Sequence, residues 1–154
     1  SRDGELRYST DFAPTLCEML GAPVPNQWDG VSFAPVLRGE KTDPPHEYLV
    51  WGHATYTTQR AVRTPQHLLV RTYDTHPYHQ YGQFKPVELY DLAADPFQTR
   101  DLADERPDLV ADLDRKLDQW LTRELSRPGA GPDPFLRVLD EQLRAGHASR
   151  LRRS

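Results

Sequence analysis

The chain has 154 residues, a formal net charge of −4, and 37% hydrophobic against 27% charged residues, which is enough for one domain with a core of its own. The acidic balance disfavours a general nucleic-acid binder, and no apolar run approaches the roughly 20 residues needed to span a bilayer. Cys17 is the single cysteine, so an internal disulfide framework is excluded.

The only methionine is Met19, and the sequence opens on Ser1-Arg2-Asp3-Gly4 without a start residue or signal peptide. The expectation is the back end of a longer protein, with a processed or trimmed chain as the alternative.

Residues 9–21 predict a short helix. Ser9 and Thr10 are N-cap types, Asp11 favours the first turn, Pro14 lies early enough to be tolerated, and Gly21 is a natural stop. Phe12, Leu16 and Leu20 share one face with Ala13 and Cys17 beside them, which predicts a buried stripe and a buried Cys17. Residues 22–45 are broken by proline and glycine, apart from one apolar helical turn at Ser32 to Leu37 with Phe33, Val36 and Leu37 as its buried set.

Three strands follow: Glu47 to Gly52, then Gln59 to Thr64 and His67 to Tyr73, the last two joined by a Pro65-Gln66 hairpin signal. Apolar residues on both faces predict a sheet covered on each side. Residues 74–86 form a long aromatic loop before a fourth strand, Val87 to Leu92. Asp95-Pro96 then turns the chain. A helix from about Pro107 to Leu125 carries Leu109, Val110, Leu113, Leu117, Trp120, Leu121 and Leu125 as one apolar stripe, with Asp112 and Lys116 spaced as an i,i+4 pair. A coiled coil or partner-binding helix is the competing reading of that stripe. Residues 127–134 read as a Pro/Gly linker, Phe135 to Arg144 as a second short helix, and Arg144, Arg150, Arg152 and Arg153 as a basic tail.

Self-contained catalytic signatures are missing from the sequence: it has no phosphate-cradling glycine loop, no Gly-x-Ser-x-Gly and no closely spaced metal motif. His76 and His79 flank Pro77, which disfavours a helical zinc pair. The polar group that stands out is His53, Tyr56, Gln59, Arg60 and Arg63. Arginines on a strand with a histidine and tyrosine before it suit recognition of an anion, or else bridge to Glu47, Glu88 or Asp91.

Three stretches in order carry a family resemblance. Ser9-Thr10-Asp11-Phe12-Ala13-Pro14-Thr15-Leu16 through Gly21, with Asp29-Gly30-Val31-Ser32-Phe33-Ala34-Pro35-Val36-Leu37-Arg38-Gly39, resembles the segment after the catalytic core of sulfatases. Gln59-Arg60-Ala61-Val62-Arg63-Thr64 resembles their C-terminal hairpin. Glu88 through Ala103 resembles their strand-turn motif before the final helix. The resemblance covers roughly residues 9–125, and Pro132-Asp133-Pro134-Phe135 is most like the N-sulfoglucosamine sulfohydrolase branch.

The resemblance implies an α+β fold: a small antiparallel sheet of about four strands under a long C-terminal helix, with the first helix belonging to an upstream α/β catalytic domain of alkaline-phosphatase type. It implies residues 1–45 as the tail of that domain, 46–126 as the sheet-plus-helix subdomain, and 127–154 as linker and basic tail. It further implies a parent enzyme with calcium and a formylglycine residue, acting on a sulfated small molecule or glycan. The Cys/Ser-x-Pro-x-Arg motif is not in this sequence, since Cys17 is followed by Glu18-Met19-Leu20. The expectation is therefore no catalytic or metal-binding residue here, no activity of this polypeptide alone, and His53 and Arg60 as substrate-binding residues on the pocket wall. Leu68 departs from a lysine common in the family's second hairpin arm. Two alternatives stand beside this reading: a phosphoric-ester hydrolase of the same superfamily, and a standalone module whose Arg60/Arg63 face captures sulfated glycans.

Overall fold

The computed structural model describes residues 5–54, 57–75, 84–144 and 149–150. The chain divides into two compact units, Ser1–Leu49 and Val50–Ser154.

In the first unit a 3₁₀ turn (Ser9–Asp11) runs into α1 (Phe12–Met19). Helix α1 ends in a left-handed cap at Gly21 (φ 68°): Ala22 N–H donates to the Cys17 carbonyl at 2.8 Å and Gly21 N–H to that of Glu18 at 3.2 Å. A short helix α2 (Ala34–Leu37) packs against α1.

The organising group is the Asp11 carboxylate, which is fully buried. Its Oδ2 accepts Tyr8 N–H at 2.7 Å and lies 2.8 Å from His46 Nε2, while its Oδ1 accepts Val31 N–H at 2.9 Å. Thr15, also buried, donates its hydroxyl to the Asp11 carbonyl at 2.6 Å and accepts Phe33 N–H at 3.0 Å. Gly30 makes this approach of loop to helix feasible, because a Cβ there would lie 2.1 Å from the Thr10 carbonyl oxygen.

The expected burial of α1 is reversed. Phe12, Leu16 and Leu20 are 59%, 41% and 80% exposed, whereas Asp11, Pro14 and Thr15 are the buried positions. Cys17 is half-buried. Around α2 the buried residue is Ala34, and Leu37 is exposed. An apolar stripe marks where a helix can pack, but here the unit's own loops dock on the polar side through hydrogen bonds.

The sheet has the order β1 (Leu49–Ala54), β2 (Thr57–Arg63), β3 (His67–Thr75) and β4 (Val87–Asp91), with the two-residue β5 (Ser149–Arg150) pairing the end of β3. Strands β2 and β3 form the expected hairpin around Pro65-Gln66, where Thr64 N–H donates to the His67 carbonyl at 2.9 Å. Their register pairs Val62 with Leu69 and Arg60 with Arg71, then slips so that Tyr73 is an extra residue between Thr72 and Asp74. Leu89 on β4 faces Leu69.

Helix α3 (Pro107–Leu125) packs on β2 and β3, and α4 (Pro134–Arg144) packs on β2. Val62, Leu69, Leu89, Leu113 and Leu117 are sealed from solvent and form the core of this unit, on the α3 side of the sheet. Ala61, Leu68 and Thr72, on the other face, are buried as well. Asp112 of α3 pairs with Arg115 at 2.9 Å.

After β4 the chain turns on three carboxylates. Asp91 accepts Ala93 and Ala94 N–H, and Asp95 accepts Thr99 N–H at 2.6 Å and Arg100 N–H at 2.9 Å. Asp101 accepts Leu89 N–H at 3.0 Å and Ala103 N–H at 2.9 Å, and its second oxygen takes Lys85 Nζ at 2.6 Å. The Arg100 backbone donor holds the Asp95 carboxyl below its ordinary value, and the Ala94 donor does the same for Asp91.

Candidate functional site

The sequence-predicted residues fall on opposite faces of the sheet. His53 on β1 is exposed, and its Nε2 lies 3.3 Å from the hydroxyl of Thr57. A Cβ on the preceding Gly52 would meet the Phe135 ring at 2.5 Å, so strand alternation turns His53 away from that ring. Gln59 shares the Thr57 face of β2 and donates Nε2–H to the Thr72 hydroxyl at 3.0 Å. Arg63 is exposed at the hairpin end. Tyr56, His76, His79, Arg152 and Arg153 lie outside the described residues.

Arg60 points the other way and is only 7% exposed. Its Nη2 donates to Asp133 Oδ1 at 2.5 Å, and its guanidinium carbon stands 4.0 Å from the centre of the Phe135 ring and 5.3 Å from that of Tyr73. The same Asp133 oxygen accepts Phe135 N–H at 3.0 Å, which makes Asp133 the N-cap of α4. Glu47, Glu88 and Asp91, the carboxylates nearest in the sequence pattern, do not take this role.

Arg71, which the sequence did not single out, completes the cluster. Its Nε donates to Asp114 Oδ1 at 2.7 Å and its Nη1 to Asp118 Oδ1 at 2.7 Å, with the Tyr73 hydroxyl 3.2 Å from Nη1. Burial works against the Arg71 charge. The bonds to Asp118 and Asp114, together with Tyr73, outweigh it and raise its pKa above the ordinary arginine value, so it stays charged at any working pH. The one local signal for this contact is the i,i+4 spacing of Asp114 and Asp118 beside the apolar stripe of α3.

Two cavities flank these groups. One, of about 240 Å³, is lined by Arg60, Arg71, Tyr73, Asp114, Asp133 and Phe135 among others. The second, of about 300 Å³, includes Trp51, Gly52, Trp120, Leu121 and Glu124, and shares Arg60, Asp133 and Phe135 with the first. Both arginines are matched by carboxylates. No group of three or more His, Cys, Asp or Glu is placed to hold a metal ion among the described residues. The arrangement is suited to binding and orientation.

A family model described as "N-sulphoglucosamine sulphohydrolase, C-terminal" matches residues 1–125. The chain is 36% identical over 121 residues to the Delta 4,5-hexuronate-2-O-sulfatase of Bacteroides thetaiotaomicron, covering 73% of this chain and 23% of that protein. It is 31% identical over 98 residues to the N-acetylglucosamine-6-O-sulfatase of the same organism, covering 62% of this chain and 17% of that one. Among solved structures, a putative sulfatase from Bacteroides thetaiotaomicron superimposes with a TM-score of 0.59 at 28% identity, covering 93% of this chain and 27% of the other. The chain thus spans about a quarter or less of the length of these relatives.

Proposed function

This chain belongs to the family of N-sulphoglucosamine sulphohydrolase C-terminal domains, and from that membership we propose that it is the C-terminal part of a hydrolase cleaving sulfate esters or sulfamates. The observation that carries the reading is the family match over residues 1–125. A sulfated uronic acid or hexosamine is the substrate class, supported by what the two curated relatives act on.

The partner is an upstream catalytic domain. Phe12, Leu16, Met19 and Leu20 are 41–80% exposed along one short helix, a density of apolar surface that calls for a covering protein. Calcium and formylglycine belong to that upstream domain in this reading. The described residues do not fit either group: no three His, Cys, Asp or Glu among them are placed to hold a metal ion, and Cys17 lacks the Pro-x-Arg context. No step of the reaction therefore runs through this chain's own nucleophiles. Its contribution is a wall: His53 offers an exposed ring to the substrate, and Arg60 holds β2 in place from behind through Asp133 and Phe135.

Two measurements test the reading. The purified 154-residue chain releases no sulfate from a sulfated disaccharide, while the same chain joined to its upstream polypeptide does. In the joined protein, His53→Ala lowers kcat/KM by about tenfold. Sulfate release by the chain alone, or an unchanged kcat/KM in the variant, overturns the corresponding half of the proposal.

A further inference from the structure

The stretch leading to α4 crosses the sheet as a strap. Gly129 and Gly131 take left-handed φ values of 81° and 68°, and Ala130 N–H closes a turn on the Arg127 carbonyl at 3.0 Å. Beyond the turn, Asp133 places its carboxylate on the Arg60 guanidinium and Phe135 stacks its ring on the same group. The strap's two contacts form the shared wall of the two cavities, with Tyr73 on one side and Trp51 and Trp120 on the other.

The Asp133 carboxylate takes the place of an anionic ligand on a buried guanidinium, and the Phe135 ring, edge-on to Tyr73 at 6.4 Å, fills the space beside it that the ring of a sulfated sugar would take. The anion answers the fork of an arginine, and the apolar ring face answers tryptophan and tyrosine. Arg71 stays engaged by Asp114 and Asp118, so Arg60 is the cation that displacement of Asp133 sets free.

We propose that the Asp133–Phe135 strap is a built-in competitor for a sulfated-sugar site, in which Arg60 binds the sulfate group and the surrounding aromatic rings hold the sugar once the strap lifts. The choice of a sulfated sugar as ligand rests on the sulfatase reading; the displaceable anion on Arg60 rests on geometry alone.

Asp133→Asn isolates the charge. Asparagine caps a helix as well as aspartate, so α4 keeps its start while Arg60 loses its counter-ion. The full chain is titrated with a heparin-derived sulfated disaccharide and followed by tryptophan fluorescence, with thermal unfolding as the control for folding. The variant binds about tenfold tighter than wild type, as expected when the competent state becomes more populated. Adding Arg60→Gln removes the gain. A folded variant with no gain overturns the proposal. A variant that fails to fold also overturns it, because the clamp is then a core element with no lifted state. An equal gain with inorganic sulfate overturns the sugar component and leaves a plain anion site. Because nothing is turned over in this titration, its failure is separable from failure of the sulfatase reading, which sulfate release by the joined protein decides.

Discussion

In the unit ending at Leu49 the deeply buried positions are Asp11, Pro14, Thr15 and Ala34, whereas in the unit beginning at Val50 they include Val62, Leu69, Leu89, Leu113 and Leu117. The first unit is drawn together by a carboxylate and a hydroxyl that satisfy backbone donors; Leu6 is buried in it, but Phe12, Leu16, Met19 and Leu20 face outward. The second seals its aliphatic residues between sheet and helix and uses arginine–carboxylate pairs to pin the elements over them. Hydrogen bonds give a fixed geometry at modest net energy, while apolar burial supplies most of the free energy. The first unit thus owes its form mainly to hydrogen bonds, and the second mainly to a sealed aliphatic core.

The sharpest way to break this contrast is to remove the hub of each unit. Asp11→Ala strands the partly buried donors of Tyr8 and Val31 and the ring of His46, at a cost of about 3 kcal/mol, since an unsatisfied group costs on the order of 1–3 when buried and less when water reaches it. Leu69→Ala leaves a cavity in the second core and costs about 3 kcal/mol. Hydrogen exchange distinguishes the two: the first change speeds exchange at Val31 and Phe33, and the second speeds it along β2 and β3. If Asp11→Ala leaves the amide of Val31 protected, the hub is not what holds the first unit.

A smaller effect comes from acid. The Asp95 carboxyl, held below its ordinary value of 3.8 by the Arg100 and Thr99 donors, stabilises the folded state above that value. This contribution fades as pH falls from 3.8 through the lowered folded value, because protonation then favours the unfolded chain. Melting temperatures measured across that range decline for the wild type, and Asp95→Asn flattens part of the decline. A slope that is the same in both proteins removes Asp95 from the account.

The smallest effect is expected on α1. Leu20→Ser in the 154-residue chain changes stability by less than about 0.5 kcal/mol, because the side chain is 80% exposed. In the chain joined to its upstream polypeptide the same change lowers the melting temperature by about 1–2 °C, as a change of about 1 kcal/mol does in a large protein. Equal behaviour in both contexts argues against a partner on this face.

Most of the sheet was legible from local pattern. Pro65-Gln66 set the hairpin, the run from Val87 to Leu92 marked β4, which ends one residue earlier at Asp91, and the stripe from Leu109 to Leu125 marked α3, whose start at Pro107 was expected. The face of α1 was misread because periodicity reports which residues are suited to burial, whereas Phe12, Leu16 and Leu20 are exposed and the unit's own loops dock on the Asp11 and Thr15 side. The Arg60 cluster was half legible. Arginine on a strand beside aromatic residues announced a charged site, but its counter-ion Asp133 lies 73 residues away, and the Asp114 and Asp118 partners of Arg71 lie 43 and 47 residues away. Local spacing carries no trace of the Arg60–Asp133 pair, and of the Arg71 contacts only the i,i+4 placement of Asp114 and Asp118. Tyr73 owes its place to a one-residue slip in pairing, which no composition rule predicts.

The double duty of Asp133 makes α4 depend on the sheet for its existence. One carboxylate oxygen both starts α4, through Phe135 N–H, and binds Arg60 on the sheet. The helix therefore gains its cap and its docking contact in a single event, and an undocked α4 of 11 residues is too short to persist in water. Its persistence depends on the hairpin that presents Arg60, so loss of that one contact removes the helix's cap and its docking together.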